Sequence, residues 1–406
     1  LRCAGMSDVT MGEFWHGTDI MSQFDPFCNV IRSVASAAHV YGRRIVQAEA
    51  FTSWDHFIEH PFGLKALGDE AFCDGLNRMV FHQYTHQPRS DVVPGWQYGA
   101  GTHIDRHITW WPMADAWFRY LARCQYLLQS GRFHADVCYF YGEGATKYVP
   151  GRGHFRPALP SGCDCDCVNA DVLEHRITVH NGRLVLPDGP SYRLLVLPDQ
   201  RIMSVAVLRR IRELIEAGAV VYGLPPLRVP GLGDYPKCDE QLRALAESMW
   251  GRVTDEKGER ALGKGRLFWN VPLTSVLHRL DVPMDCEVLA AAPGSGFRFI
   301  HRTLAGAEVY FVSNQQAATQ RVRCLFRVTG IAPELWDPVS GRIVRLENCQ
   351  VVDRRTMVPI EFGPRQSFFV VFRKAASEPA AAAVSCDRAF PALKPAAELG
   401  GPWDVS

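Results

Sequence analysis

The chain has 406 residues, of which 47% are apolar and 21% charged, and its formal net charge is +1. This composition is typical of soluble globular proteins, and the length accommodates two or three domains. The nearly neutral charge, without a run of Lys or Arg, excludes electrostatic binding of nucleic acid or of an anionic membrane as a main activity. No apolar run approaches the roughly 20 residues of a transmembrane helix. We therefore expect a neutral ligand and no membrane span.

The first 131 residues alternate between strand and helix patterns. Asp25-Pro26 predicts a helix start, because Asp is a good N-cap and Pro is tolerated at the first helical position. Strands are predicted over 43–48 and 79–84, and helices over 64–78 and 114–128. Strands that alternate with helices form parallel sheets, so residues 1–131 are predicted to be the later half of a (β/α)8 barrel.

The chain begins without Met and reaches its first presumptive active-site strand within about a dozen residues, too early for a complete barrel. We expect an internal fragment of a longer enzyme, one that lacks the first part of the barrel. The fold class is therefore α/β, with the C-terminal half of a barrel at its N-terminal end.

Three further units follow the barrel half. Residues 132–262 predict a small flavodoxin-like α/β domain, with a hairpin at Asn181-Gly182. A loop at 142–145 follows a strand as a phosphate loop would, but it lacks a G-x-G-x-x-G motif, so nucleotide binding is the weaker interpretation. Residues 263–375 predict an antiparallel β-sandwich, and residues 376–406 a linker and the start of a further β domain.

Glu13 and Glu49 stand where apolar, strand-like runs give way to aromatic and polar loops. Barrel enzymes carry their acids and bases at this end of the strands. A carboxyl group among aromatic side chains loses hydration, which raises its pKa and allows it to protonate a leaving oxygen. A single strand-end Glu is more often a rim residue or half of an ion pair, so the hypothesis rests on two of them one βα unit apart.

Six of the ten tryptophans lie in the first 117 residues, among histidines and amides. Aromatic rings stack on the C–H face of a sugar while polar groups bind its hydroxyls, so this clustering predicts a carbohydrate site. The candidate substrate-binding residues are His82, Gln83, His86, Trp96, His103, Arg106 and Trp110. Core histidines, core tryptophans and a structural ion-pair corner over 102–107 are the alternatives.

The 13 cysteines show no framework spacing, and most are interpreted as buried free thiols. In the run Cys163-Asp164-Cys165-Asp166-Cys167, strand alternation would point all three thiols the same way. A metal site is an alternative there, but the run lacks the second ligand pair of a zinc module.

Long motifs along most of the chain point to one enzyme family. They occupy residues 11–15, 29–52, 74–88, 94–99, 184–189, 191–198 and 333–336. On these motifs the chain resembles glycoside hydrolase family 106, the α-L-rhamnosidases. His107 and the cysteines at 163 and 165 depart from the family's pattern, and the first of these leaves the substrate contacts of its loop open.

The resemblance implies an inverting enzyme that removes terminal α-L-rhamnose from plant or microbial glycans or glycosides, with calcium near the bound sugar. By its place in the motif Gln47-Ala48-Glu49-Ala50-Phe51, Glu49 looks like the general acid. Glu13 looks like a second carboxylate that holds calcium or sugar hydroxyls, which suits the preference of calcium for oxygen. The base would lie on an upstream strand outside this chain. Extracellular or periplasmic residence is an expectation from the resemblance alone.

Two alternatives stay open. In a retaining glycosidase, Glu13 would be the nucleophile and Glu49 the acid/base, with carboxyl groups about 5 to 5.5 Å apart instead of about 6.5 to 9.5 Å. In a non-catalytic carbohydrate-binding protein, the same aromatic cluster would bind sugar without turnover.

Overall fold

A computed structural model describes residues 1–16, 30–54, 57–101, 103–144, 149–252, 257–289, 296–374 and 383–390. The helix start predicted at Asp25-Pro26 and most of the unit predicted over 376–406 lie outside these residues. Within the described ranges, no helix is long and apolar enough to cross a membrane.

Three parallel strands in the order β1-β2-β3 form the N-terminal unit. Its elements are the short helix α1 (Arg2–Gly5), β1 (Thr10–Trp15), α2 (Val30–Val40), β2 (Val46–Thr52), α3 (Pro61–Cys73), β3 (Arg78–Phe81) and α4 (Ala114–Leu128). An added Cβ at Gly12 would lie 2.9 Å from the Val30 side chain, so glycine lets α2 pack close to β1. The described residues form no closed barrel; the half barrel stays a prediction, while the mixed α/β class is confirmed.

The second unit contains a six-stranded sheet in the order β12-β13-β11-β10-β5-β6. Its strands are β5 (Val137–Phe140), β6 (Cys165–Val168), β10 (Leu194–Val196), β11 (Val220–Tyr222), β12 (Gly258–Leu262) and β13 (Gly265–Trp269). All neighbours pair in parallel except β12 with β13. The unit boundary predicted at residue 262 therefore falls between two strands of one sheet, because β13 adds beside β11.

Helices and a small hairpin sheet complete this unit. They are α5 (Ala170–His175), β7 (Thr178–His180), β8 (Arg183–Val185), β9 (Ser191–Tyr192), α6 (Val205–Ala217), α7 (Lys237–Trp250) and α8 (Leu273–Arg279). β7 pairs antiparallel with β8, and Asn181 and Gly182 both have positive φ, as a two-residue hairpin requires. In the loop at 142–145, Glu143 accepts a hydrogen bond of 2.6 Å from the Ser204 amide. Because a carboxylate there repels phosphate, the loop supports the beginning of α6 rather than a nucleotide.

Two largely antiparallel sheets form the third unit, in the orders β14-β17-β21-β20 and β23-β19-β18-β22-β16-β15-β4. Their strands are β4 (Arg132–Phe133), β14 (Cys286–Leu289), β15 (Phe297–Leu304), β16 (Ala307–Asn314), β17 (Gln320–Phe326), β18 (Pro333–Trp336), β19 (Ile343–Glu347), β20 (Gln350–Val352), β21 (Arg355–Phe362), β22 (Ser367–Arg373) and β23 (Ala383–Ser385). Both sheets contribute to one buried core that includes Tyr310, Phe326, Phe362 and Phe372. The sandwich geometry itself stays a prediction.

The cysteines in the described ranges are mostly buried thiols, and Cys349 and Cys386 form a disulfide that sequence analysis did not predict. The thiols of Cys163, Cys165 and Cys167 are buried in one apolar cluster, as strand alternation predicted. Burial raises the pKa of Cys165 to about 12. The apolar side chains around the three thiols favour the structural interpretation of the run.

A buried charge network joins the second and third units. Asp285 is 2% exposed and accepts hydrogen bonds from His301 Nδ1 at 2.9 Å and Tyr310 Oη at 3.0 Å. The Nε2 atom of His301 lies 2.9 Å from Glu308, and the Arg327 guanidinium lies 3.3 Å from Asp285. Each buried charge therefore has an opposite partner, which burial requires.

This network should make stability depend on pH above neutrality. Burial lowers the pKa of His301, but the carboxylates of Asp285 and Glu308 raise it more, from 6.5 to about 9. The folded protein thus retains a proton that the unfolded chain releases, so the stabilisation is complete below pH 6.5 and is lost as pH rises through 9. We expect the urea midpoint to fall across this range.

The control for this prediction is His278→Gln, which replaces an exposed histidine and should leave the slope against pH unchanged. His301→Gln should flatten the slope, whatever its effect on absolute stability. A wild-type urea midpoint that stays constant from pH 6.5 to 9 would contradict the assignment.

Candidate active site

The open face of the three-stranded sheet carries both candidate carboxylates. The residues that face the core include Phe14, Ala48, Ala50 and Met79, which are buried against the helices. Because side chains alternate along a strand, Glu13, Glu49 and Val80 point to the other side, where they are only partly buried or exposed. The sheet therefore presents its polar row away from the apolar core.

Glu13 and Glu49 are register partners on neighbouring parallel strands. Neighbouring strands lie about 4.8 Å apart, so the two side chains leave the sheet side by side. Both lie inside their strands, not at the ends as predicted, because pairing with neighbours extends β1 to Trp15 and β2 to Thr52. Two adjacent carboxylates can share a cation or divide the roles of acid and nucleophile.

Two side chains contact the Glu49 carboxylate. The Thr52 hydroxyl donates a hydrogen bond of 2.6 Å to Glu49 Oε1, and Thr52 is 1% exposed. His82 follows β3, and its Nδ1 lies 3.8 Å from the same oxygen. The Glu49 side chain remains 30% exposed. The carboxyl group is thus held on one oxygen while it still reaches solvent.

Phe51 explains how Thr52 reaches Glu49. In an undistorted strand, residues three apart point to opposite faces. Here the register skips Phe51, which has a φ of 62° and is fully buried. This bulge turns Thr52 toward the polar face. Sequence analysis missed Thr52 because nothing in the local pattern of residues signals the bulge.

An aromatic rim surrounds these polar groups. Trp54 is 50% exposed and lies 5.8 Å from the Trp15 ring, and Tyr98 is 57% exposed and meets the His82 ring edge to face at 5.6 Å. Gly101 lies so close to the His82 backbone that an added Cβ would be 2.6 Å from its carbonyl oxygen. Glycine at position 101 thus lets this loop pack against the site. Exposed aromatic rings beside carboxylates suit a sugar.

The loop after β3 is held by its own polar groups. Gln87 bonds the Trp96 backbone at 2.9 and 2.7 Å, and Arg106 donates to the carbonyls of Gln87 and Arg89 at 2.6 and 3.1 Å. Trp96 itself is 67% exposed. The Arg106 guanidinium therefore fixes loop shape, and the Trp96 ring projects from that loop.

The remaining candidates have mixed surroundings. Trp110 donates from Nε1 to the Glu59 carbonyl at 3.0 Å, and His103 is 5% exposed and packs on Phe57 at 4.6 Å between ring centroids. The Gln83 carbonyl accepts from Ile104, and His86 is exposed. Among the described residues, His82 is the candidate whose side chain lies within 4 Å of the Glu49 carboxylate. Sugar binding by all seven candidates stays a prediction.

Three side chains elsewhere in the structure lie close enough together to hold a metal ion. Ligand atoms of His134, Asp285 and His301 lie within 4.8 Å of one another. The Arg327 guanidinium lies 2.7 Å from His134 Nε2 and 3.3 Å from Asp285, so a positive group already fills this position. We therefore interpret these residues as part of the charge network around Asp285.

A parallel α/β sheet with paired carboxylates and an aromatic rim is the arrangement found in glycoside hydrolases. The glycoside hydrolase family 106 model, described as alpha-L-rhamnosidase, matches residues 1–349. The chain belongs to glycoside hydrolase family 106.

Among known proteins similar to this chain, a solved rhamnosidase agrees with that assignment, and a curated relative has a different enzyme name. A rhamnosidase structure from Novosphingobium sp. PP1Y is 31% identical with a TM-score of 0.81, covering 96% of this chain and 36% of that one. A curated Formosa agariphila protein, whose name describes a beta-glucuronidase, is 32% identical over 93% of this chain and 30% of its own length. The chain thus spans about a third of the length of each of these two relatives.

A GH42 beta-galactosidase, Gan42B from G. stearothermophilus, shares the fold at a TM-score of 0.54 with 12% identity. The match covers 92% of this chain and 60% of that one. At this identity the likeness concerns the fold alone.

Proposed function

We propose that this chain is part of an enzyme that removes terminal α-L-rhamnose from glycans or glycosides by an inverting mechanism. The observation that carries the proposal is the register pair of Glu13 and Glu49 on the open face of the sheet, in a chain of family 106. Exposed Trp54, Trp96 and Tyr98 supply ring faces for the sugar.

Glu49 is the proposed general acid. Thr52 holds its Oε1 atom, so Oε2 is the oxygen that is free to face the leaving group. His82 lies on the side of Oε1, with its Nδ1 atom 3.8 Å away, which leaves Oε2 open. The base that activates water must lie farther from Glu49 than a register neighbour does, because a water molecule has to fit between them. We place that base on a strand outside this chain.

The adjacency of Glu13 and Glu49 also favours one alternative. Carboxyl groups on register neighbours can reach the roughly 5 to 5.5 Å separation of a retaining enzyme, with Glu13 as nucleophile. In the inverting proposal Glu13 instead orients sugar hydroxyls or contributes to a calcium site. Calcium takes six to eight oxygen ligands, and Glu13 would supply carboxylate oxygens beside the sugar. When bound, the ion supplies a fixed positive charge that orients hydroxyl groups.

The configuration of the first product distinguishes these functions. A longer protein that contains the complete barrel should release β-L-rhamnose first from an aryl α-L-rhamnoside. Proton NMR detects this anomer before mutarotation. An aryl β-D-glucuronide is the matched control and should remain intact. Release of the α anomer would select the retaining alternative, and binding without hydrolysis would select a non-catalytic protein.

The disulfide between Cys349 and Cys386 supports extracellular or periplasmic residence, because such bonds persist in oxidising compartments.

A further inference from the structure

A cavity of about 490 Å³ lies where the hairpin sheet of the second unit meets the edge of the seven-stranded sheet. Its lining residues come from three segments, 131–135, 183–191 and 303–305. The polar side chains among them are Arg132, His134, Arg183, Ser191 and Thr303, and the described part of the chain contributes no Asp or Glu to the lining. Cavities of this size accept ligands as large as a monosaccharide.

Arg183 is the principal cation of this cavity. It is half buried, and its Nε and Nη2 atoms donate to the Ser191 hydroxyl at 3.0 Å and the Ser191 carbonyl at 3.1 Å. No carboxylate among the described residues lies within ion-pair distance of it, and Nη1 has no hydrogen-bond partner there. The nearby Asp136 carboxylate already pairs with Arg327 at 2.7 Å. The half-buried Arg183 guanidinium is thus positioned by the neutral hydroxyl and carbonyl groups of Ser191.

Two more arginines add positive charge without an acid partner. Arg132 lies on the cavity wall and is exposed. Arg302 is 4% exposed and donates to the carbonyls of Ser130 and Gly131 at 2.7 and 2.8 Å, which holds the turn at one end of the lining. Burial lowers the pKa of Arg302 to about 10. Buried cations usually have an anionic partner, and within the described chain these have none.

We propose that this cavity binds an oxyanion carried on a sugar-sized molecule. Arg183 donates from Nη1 and Arg132 from its guanidinium, and guanidinium groups bind carboxylate or sulfate with paired hydrogen bonds. Thr303 and Ser191 offer hydroxyl groups to the remainder of the ligand. The site is separate from Glu49 and does not depend on the proposed hydrolysis.

The test is calorimetric titration of the 406-residue chain with sodium D-glucuronate, sodium sulfate and D-glucose. We expect glucuronate to bind, glucose not to bind, and added sodium chloride to weaken the binding of glucuronate. Arg183→Gln and Arg132→Gln should each weaken it about tenfold or more, since each removes charge-assisted hydrogen bonds. Arg212→Gln, a partly exposed residue of α6 outside the cavity lining, is the matched control and should leave glucuronate binding unchanged.

Each outcome has one meaning. Glucuronate that binds more tightly than sulfate assigns the site to a carboxylate on a sugar, and equal binding assigns it to oxyanions in general; both support the proposal. Arg132 is exposed, so Arg132→Gln is the decisive variant if Arg183→Gln does not fold. Absence of binding by both anions, or binding unchanged in both folded variants, would overturn the proposal. Glu49→Gln should bind glucuronate normally, which separates this site from the proposed active site.

Discussion

Replacing Glu49 with Gln should lower kcat on α-L-rhamnosides with poor leaving groups by about 10²- to 10⁴-fold, measured with the barrel complete. An amide cannot donate the proton that the departing oxygen needs, whereas it still accepts hydrogen bonds from the sugar and from Thr52. KM should therefore change little. Rates measured on a series of aryl α-L-rhamnosides should show a smaller loss for activated leaving groups, because these depart without protonation.

Thr52 provides the companion test of this assignment. Thr52→Val removes the hydroxyl that holds Glu49 Oε1 while keeping the side chain's shape. It should lower kcat less than Glu49→Gln does and shift the pH profile of kcat, and Thr52→Ser should restore both. If Glu49→Gln lowers the rate of hydrolysis equally for substrates with good and poor leaving groups, Glu49 acts on water as a base instead. The general-acid assignment would then be wrong.

The largest expected effect on stability is that of Asp285→Asn. The carboxylate faces the His301 imidazole, the Tyr310 hydroxyl and the Arg327 guanidinium, and these groups hold the pKa of Asp285 well below its usual range against the opposing effect of burial. An amide removes one carboxylate partner from both His301 and Arg327 inside the buried network, and breaking a buried pair costs about 3–5 kcal/mol. The free energy of unfolding in urea, measured at neutral pH, should fall by that amount.

Asp281→Asn is the matched control, because Asp281 lies four residues away and forms an exposed pair with Arg354. Exposed pairs contribute little, so this variant should unfold like the wild type. A folded Asp285→Asn protein with unchanged stability would show that the Asp285 carboxylate does not stabilise the buried cations, which would contradict this prediction. Asp285→Asn should not alter glucuronate binding if the cavity depends on Arg132 and Arg183.

Local patterns predicted several features correctly. The Asn181-Gly182 hairpin depends only on two residues that accept positive φ, so its sequence signal is complete. Cys163, Cys165 and Cys167 alternate with Asp along the chain, and this alternation likewise predicts that their thiols are buried in the same cluster. The long motifs identified the family, because a match spread over most of the chain constrains it far more than a short catalytic pattern.

Other features depend on contacts between distant segments. Residues 134, 285, 301, 308 and 327 form one network although no spacing between them repeats. The cavity that contains Arg132 and Arg183 arises where three segments meet. The pairing of Cys349 with Cys386 is also a matter of proximity, since sequence alone does not determine disulfide connectivity.

The amino-acid sequence by itself determined the family, the mixed α/β class and the two glutamates that carry the catalytic hypothesis, because each is recorded in residue type and spacing. The tertiary structure decided that Glu13 and Glu49 are register neighbours and that a bulge at Phe51 brings Thr52 to Glu49. It also decided that Arg132 and Arg183, which have no acid partner among the described residues, line one cavity. Strand register and the meeting of distant segments depend on packing over the whole chain. Local residue patterns do not contain that information.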